Sequence, residues 1–253
     1  MQQFQIQLYR PQSGLLLWEL GNLPIKIPIA ALSIVATQLK RDLTEEELCG
    51  YYLYTKCTST ISCALLTFHS FGDTGQYFAQ TLLVRFEELY GEEMNDFELA
   101  VDASLYINFK HELAYCIRQA SQSVISDILQ TDRSVTYILC ALQKSSNIYT
   151  LLCSTRKDAD DSVDEVSLLS SIAPSSDAEK LFFEKLKDQH YQLSSHTTVI
   201  LTISNKLSSL SLYTFGRLAL VIKHMKQTPP RDITTLIIPG LSFLCDMFEK
   251  YDA

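Results

Sequence analysis

The chain of 253 residues is 47% hydrophobic and 20% charged, a composition typical of a folded protein with a hydrophobic core. Its net charge of −8 at pH 7 and isoelectric point near 5.1 disfavour nucleic-acid binding, because phosphate contacts need clustered lysines and arginines. The length predicts one large domain or two modest ones.

The seven cysteines are scattered through apolar segments without a Cys-x-x-Cys pair. We therefore expect small core residues in a reducing compartment, and no structural metal site. The N-terminal residues lack the basic segment and apolar run that mark a signal peptide. No apolar run reaches the roughly 18 residues that a transmembrane helix needs. The sequence thus predicts a cytoplasmic protein.

Two hairpins with a helix between them are predicted at the start of the chain. Phe4, Ile6 and Leu8 alternate with glutamines, the period of a strand with one buried face. Pro28 is suited to the first position of a helix. The predicted strands cover residues 4–10, 15–20, 51–57 and 60–68.

Two amphipathic helices follow in succession. Asp73 begins the first helix with Gln76 as its capping-box partner, and Gly91 ends it. The second helix is long and starts near Ser104. Apolar residues at three- and four-residue steps predict a buried stripe on each helix. The stripes are Phe78, Leu82, Phe86 and Leu89 in the first helix, and Phe109, Leu113, Ile117, Ala120, Val124 and Ile128 in the second.

This order of elements resembles the longin fold, an α+β arrangement in which helices flank an antiparallel sheet of five strands. The sequence FEELYGEE at residues 86–93, a short link and the long helix after it are similar to the sigma chains of clathrin adaptors and other trafficking longin domains. The resemblance covers residues 1–130. It implies five strands, of which the sequence indicates four.

The same pattern starts again after residue 130. Residues 157–176 are acidic and then serine-rich, which predicts a flexible insert. We expect two longin-like domains in tandem, 1–130 and 131–253; a single larger α+β domain is the alternative. The predicted strands are 135–142, 148–154, 197–203 and 207–215, and the predicted helices are 176–189, 218–225 and 241–251.

No residue pattern indicates catalysis. Asp73-Thr74-Gly75 matches the tripeptide of aspartic proteases, but no apolar strand precedes it and a helix cap explains the aspartate better. His111-Glu112 begins a zinc-protease pattern in which Tyr115 occupies the place of the second histidine. Phosphate-binding loops and a nucleophile elbow are missing. We predict no catalytic, cofactor-binding or metal-binding residues.

The resemblance implies a non-enzymatic interaction subunit of an intracellular membrane-trafficking complex. Longin domains pair with other longin or roadblock chains and engage small GTPases of the Rab type, and some paired longin proteins act as guanine-nucleotide exchange factors. The chain would then belong to a hetero-oligomer that meets endomembranes through its partners. The alternatives are a small adaptor-coat chain that binds sorting peptides, and an unrecognised hydrolase.

Four residues are predicted to contact a partner. Trp18 is the only tryptophan, and this residue type is enriched at binding hot spots; packing on the face of the sheet is its other interpretation. Gln38, Lys40 and Arg41 lie on the predicted exposed flank of the first helix.

Overall fold

The computed structural model describes residues 3–21, 23, 48, 50–94, 103–145, 148–155, 199–204, 209–225 and 237–251. Two antiparallel sheets and several helices confirm the predicted α+β class. The chain divides into two compact units. Unit 1 holds residues 1–120 and 246–253, and unit 2 holds residues 121–245. The predicted domain boundary after residue 130 stays a prediction.

The described elements are numbered in chain order. The strands of unit 1 are β1 (Phe4–Tyr9), β2 (Leu16–Gly21), β3 (Tyr52–Cys57) and β4 (Ser62–Thr67). The strands of unit 2 are β5 (Val135–Ser145), β6 (Ile148–Ser154), β7 (Val199–Ser204), β8 (Ser209–Phe215) and β9 (Leu218–His224). The helices are α1 (Asp73–Met94), a 3₁₀ helix (Ala103–Glu112), α2 (Leu113–Thr131) and α3 (Ile238–Tyr251).

The first sheet has the strand order β2-β1-β4-β3, with every pair antiparallel. Both predicted hairpins are confirmed. The alternation read from β1 is also confirmed, because Phe4, Ile6 and Leu8 are buried. In the first hairpin loop the Arg10 amide donates to the Leu15 carbonyl at 2.9 Å, and Gly14 takes a φ of 68° that favours glycine.

Both faces of the first sheet are covered. All six residues of the central strand β4 are buried, which requires packing on either side. One face carries a cluster in which Tyr9, Ala64 and Leu66 pack with Leu48 and Leu53. Helix α1 contacts β3 and β4.

The start of α1 is fixed by the ring of Tyr54 in β3. The Tyr54 hydroxyl accepts a hydrogen bond from the Phe71 amide at 2.6 Å. The ring lies so close to Gly75 that a Cβ added there would come within 2.6 Å of it. Asp73 begins the helix as predicted, and its carboxylate is favourable beside the positive end of the helix dipole.

The predicted end of α1 at Gly91 is wrong, since the helix continues to Met94. Met94 is buried, and its carbonyl accepts a hydrogen bond from Arg10 Nη2 at 3.3 Å. These tertiary contacts outweigh the low helix propensity of glycine. The predicted stripe is buried at Phe78, Leu82 and Phe86 but wrong at Leu89, which is 40% exposed.

The predicted long helix begins instead as a 3₁₀ helix. Between residues 104 and 112 the least exposed positions are Tyr106, Phe109 and Glu112, which recur every three residues. That interval matches the three residues per turn of a 3₁₀ helix. From Leu113 onward the burial changes to three- and four-residue steps and the segment is α-helical. The six predicted stripe residues from Phe109 to Ile128 are all buried.

The second sheet has the order β6-β5-β9-β8-β7, again fully antiparallel. The four predicted strands are confirmed, and the helix predicted over 241–251 is confirmed as part of α3. The helix predicted over 218–225 is wrong, because these residues form β9.

The misassigned segment lies between two hydrogen-bonded neighbours. Strand β9 pairs with both β5 and β8, and five consecutive residues from Leu218 to Ile222 are buried, which places packed groups on both faces of the strand. An apolar run without alternation fits a strand buried on two faces as well as a helix. The sequence signal for a hairpin here is Gly216-Arg217. These two residues form the turn between Phe215 and its strand partner Leu218, and Gly216 has a φ of 57°.

Several predictions lie outside the described residues. They are the helix beginning at Pro28, the acidic insert at 157–176 and the helix over 176–189. Within the residues that the structure describes, the first sheet contains four strands, so the fifth strand stays a prediction.

Candidate interaction surface

Two residues of the protease-like patterns make structural contacts, Glu112 and Tyr115. His111 is exposed, whereas Glu112 forms an ion pair with Arg85 and Tyr115 stacks against the same arginine. Asp73 is exposed at the start of α1. Across the described ranges, no group of three or more histidine, cysteine or acidic side chains is arranged to hold a metal ion.

Trp18 lies in the core of unit 1. Its side chain is 7% exposed, and its ring meets the ring of Phe109 edge to face with 5.1 Å between centroids. This contact is what the packing interpretation requires. A partner contact by Trp18 stays a prediction. The other three predicted contact residues, Gln38, Lys40 and Arg41, lie outside the described residues.

An aromatic cluster positions the helices of unit 1. Phe86 of α1 lies at its centre, with ring centroids 4.9 Å from Tyr90, 5.1 Å from Tyr106 and 4.9 Å from Phe109. Tyr90 and Tyr106 are themselves 5.0 Å apart. Since Phe109 also contacts Trp18, the cluster joins β2, α1 and the 3₁₀ helix.

The FEELYGEE segment that carries the longin resemblance also anchors α1 to the second hairpin. Glu87 accepts hydrogen bonds from the hydroxyls of Thr58 and Thr60, at 3.2 and 2.7 Å. The two threonines form the loop between β3 and β4, where the Thr58 amide donates to the Ile61 carbonyl at 2.8 Å. A carboxylate that accepts two hydroxyl bonds holds this loop in place more strongly than a neutral acceptor would.

The helices of unit 1 expose a set of large apolar side chains, which we call the helical surface. Leu105 and Ile107 of the 3₁₀ helix are 57% and 61% exposed. Large apolar groups that form one contiguous exposed patch are characteristic of protein-binding surfaces, whereas single exposed apolar groups occur on most proteins. The helical surface consists of Val84 and Leu89 of α1, Leu105 and Ile107, and Tyr115 of α2.

Arg85 connects α1 to the next helical segment at this surface. Its Nε and Nη2 atoms lie 2.9 and 2.8 Å from Oε2 of Glu112, and Nη1 lies 3.1 Å from Glu88. The hydrogen bonds to Glu112 and then Glu88 raise the pKa of Arg85 above its ordinary value. The guanidinium also lies 4.7 Å from the centre of the Tyr115 ring. Arg85 therefore orients an aromatic side chain of the helical surface.

The end of α1 is acidic. Glu92 and Glu93 occupy the last turn, which contains no basic residue. Carboxylates at the C-terminal end of a helix oppose its dipole, so they reduce the stability of the free helix slightly. This arrangement offers negative charge beside the exposed leucine at position 89, and it suits a partner with basic groups.

Sequence reasoning missed the helical surface. The predicted stripe of the second helix begins at Phe109, so Leu105 and Ile107 were assigned to neither the core nor the surface. The signal that could have found them is the three-residue interval between Tyr106, Phe109 and Glu112. Leu89 was missed because its spacing from Phe86 fits the buried stripe.

None of the helices in the described part of the chain combines the length and the apolar character needed to cross a membrane. Comparison of the sequence with models of known protein families and with curated proteins finds no match.

Proposed function

We propose that the chain is a non-enzymatic interaction subunit of an intracellular membrane-trafficking complex, built from two longin-like domains in tandem. The observation that carries this proposal is a strand order shared by the two sheets. In the first sheet β1 lies between β2 and the last strand, β4. In the second sheet β5 lies between β6 and the last strand, β9.

The shared order extends to the pairing of the strands. The first two strands of each sheet form an antiparallel hairpin. The last strand in sequence order then pairs with the first strand of the same sheet. In the part of the chain that the structure describes, the second sheet has five antiparallel strands, the number that the longin resemblance implies. A repeated topology without a repeated sequence is expected when two domains of one fold diverge.

Binding through surfaces fits the features of unit 1 better than catalysis does. The helical surface supplies exposed apolar groups, and the net charge of −8 suits a partner with basic groups. We assign this surface to pairing with a longin or roadblock chain. The pair would engage a Rab-type GTPase and bring the complex to endomembranes.

The second sheet distinguishes this proposal from the adaptor-coat alternative. A small adaptor chain needs a single longin domain, whereas unit 2 contains a second sheet with its own buried core. A regulator that contacts both a pairing chain and a GTPase has a use for two such domains. Fold analogy alone supports this step, so an experiment has to test it.

The test is purification of the tagged full chain from its native cells, followed by identification of proteins recovered in near-equal amounts. We expect a longin or roadblock chain, together with a small GTPase that is retained when nucleotide and magnesium are removed. An exchange assay with that GTPase and the purified complex should then show faster release of a fluorescent GDP analogue.

The variant Leu105→Glu with Ile107→Glu tests the assigned surface. Both side chains are exposed, so the changes should leave the fold intact while the pairing chain is lost. Met225→Glu in unit 2 is the control, because Met225 is 66% exposed and lies outside the helical surface. Recovery of large adaptor chains would favour the coat alternative, and a monomer without partners would contradict the proposal.

A further inference from the structure

Three cysteine thiols meet in unit 2. Cys140 of β5 is the direct cross-strand partner of Cys153 in β6. Cys245 of α3 contacts the same sulfur, so Cys140 has hydrogen bonds with both other thiols. All three side chains are buried, and Cys153 is the most accessible at 6% exposed. None of them forms a disulfide in this structure.

The pairing of Cys140 with Cys153 has the geometry that a disulfide needs. Residues directly opposite each other in an antiparallel ladder have Cα atoms about 4.5–5.5 Å apart. Disulfides span Cα separations of about 4.4–6.8 Å. A bond between these two sulfurs therefore requires a side-chain rotation and little backbone movement.

The position of the pair in the sheet provides access for a small reagent. Among the described strands, β6 lies at the edge of the second sheet, and the register of the β5 and β6 pair shifts between Cys140 and Ala141. Such a shift interrupts the ladder, and edge strands open locally more easily than central ones. Local opening of this strand exposes Cys153, and then Cys140, to a small uncharged oxidant.

The thiol contacts also favour the reactive form of Cys140. Hydrogen bonds with Cys153 and then Cys245 lower the pKa of the Cys140 thiol, against the opposing effect of burial. Unit 1 provides a contrast, because burial raises the pKa of Cys116 to about 12. The thiolate is the nucleophile in thiol oxidation, so a lowered pKa favours attack by the Cys140 sulfur.

We propose that Cys140 and Cys153 are a peroxide-oxidised dithiol site, with Cys245 as the positioning residue that contacts the Cys140 sulfur. The Cys140 sulfur attacks one oxygen of hydrogen peroxide; an S–O bond forms, the O–O bond breaks and the departing hydroxide takes up a proton as water. Peroxide gains two electrons, and the sulfur becomes a sulfenic acid.

The second step resolves the sulfenic acid. The Cys153 sulfur attacks the Cys140 sulfur, an S–S bond forms, and the S–O bond breaks. The hydroxide that leaves takes up the thiol proton of Cys153 as water. Overall, two thiols and one peroxide give one disulfide and two waters, and the bond joins the edge strand β6 covalently to β5.

Peptide mapping of the oxidised full chain tests the site without any core substitution. The reduced protein, carrying Cys57→Ser to remove an exposed thiol, is treated with dilute hydrogen peroxide, alkylated and digested. We expect a linked pair of peptides containing Cys140 and Cys153. The buried cysteines of unit 1, Cys63 and Cys116, serve as an internal control and should stay alkylatable after unfolding.

Variants at position 245 test the positioning role. We expect Cys245→Ala to slow disulfide formation at neutral pH about tenfold and to shift its pH profile upward, because a hydrogen bond to the thiolate is lost. Cys245→Ser keeps a hydroxyl donor and should restore most of the rate. A merely structural role would not shift the pH profile.

Other results would overturn the proposal. A bridge between Cys140 and Cys245 would refute the assignment of Cys153 as the resolving thiol. Over-oxidation of Cys140 without a bridge would refute the dithiol site, as would full alkylation of Cys140 after peroxide treatment. Oxidation of Cys63 and Cys116 at the same rate as Cys140 would show that the thiol cluster has no special reactivity.

Discussion

The two units differ in what fills their cores. In unit 1 aromatic rings from different elements meet at defined angles, and Phe86 alone contacts three other rings. In unit 2 the described buried side chains of β5 and β9 are aliphatic or thiol-bearing, and Tyr213 of β8 and Phe243 of α3 are buried aromatic residues. Those of β5 and β9 are Val135, Ile138, Leu139, Cys140, Ala141, Leu142, Leu218, Ala219, Leu220, Val221 and Ile222.

This difference separates two ways of specifying a fold. Edge-to-face ring contacts depend on orientation, so a few residues fix where the helices of unit 1 lie. A central strand buried on two faces is specified by a continuous apolar run and by pairing with both neighbours. We therefore expect unit 1 to depend on particular side chains, and unit 2 to depend on volume and backbone geometry.

The largest expected effect comes from removing the central ring of unit 1. Phe86→Ala deletes the ring that joins α1 to the 3₁₀ helix and should lower the free energy of unfolding by about 3–5 kcal/mol. Because Trp18, the only tryptophan, packs on Phe109, its fluorescence should change in the folded variant. Urea unfolding followed by tryptophan fluorescence and by circular dichroism measures both effects.

Leu220→Ala in the central strand β9 is the matched change in unit 2. It should cost about 2–5 kcal/mol, visible by circular dichroism, and leave the Trp18 emission of the folded protein unaltered. If Phe86→Ala left the Trp18 spectrum unchanged while Leu220→Ala shifted it, the aromatic cluster would not be what positions the helices of unit 1.

A second pair of variants concerns two glycines that are required for different reasons. Gly75→Ala places a methyl group 2.6 Å from the Tyr54 ring and should destabilise unit 1 by about 1–3 kcal/mol. Gly216→Ala meets no atom closer than 3.7 Å, but its φ of 57° costs about 1–2 kcal/mol for a residue with a Cβ. Thermal unfolding of each variant measures these costs.

A different substitution should reduce the loss of stability at each of the two glycine positions. Tyr54→Leu makes room beside position 75, so Gly75→Ala should be less harmful in that background than alone. Gly216→Asn should cost less than Gly216→Ala, because asparagine adopts positive φ more readily. Equal costs for the two substitutions at 216, or no coupling between positions 54 and 75, would contradict these explanations.

The elements that the sequence predicted correctly are those with a clear period and a buried face. The alternation in β1 and the stripe from Phe109 to Ile128 both identify the core. β9 was misassigned because its apolar run has no period, and only its place between two strands decides its structure. The end of α1 was misassigned because Arg10, distant in sequence, binds the carbonyl of Met94.

The candidate surface was harder to predict than the fold. Trp18 was predicted as a contact residue because it is the only tryptophan. Its ring contacts Phe109, and this contact depends on packing between β2 and the 3₁₀ helix. Leu105 and Ile107 lie before the predicted stripe, and the burial of Tyr106 and Phe109 at a three-residue interval leaves them exposed. A change of helix type is decided by packing, which local sequence does not display.

The smallest expected effect is a pH dependence confined to the aromatic core of unit 1. Burial, followed by the charges of Glu112 and Glu93, raises the pKa of Tyr90. Burial and then Glu93 raise the pKa of Tyr106, while Arg10 acts in the opposite direction. A raised folded-state pKa means that the stability contributed by these neutral tyrosines is fully present below about pH 10, their ordinary pKa. This stability is lost as the pH rises through the pKa values of the two tyrosines in the folded protein.

Urea midpoints measured from pH 8 to 11 should therefore fall more steeply for the natural chain than for the double variant Tyr90→Phe with Tyr106→Phe. The variant keeps the rings that contact Phe86 and removes only the ionisable hydroxyls. The difference between the two slopes isolates the two tyrosines from every other group that titrates in this range. Parallel slopes would mean that these hydroxyls ionise as easily in the folded protein as in the unfolded chain. The aromatic core would then stabilise unit 1 through ring packing alone, with no pH-dependent contribution.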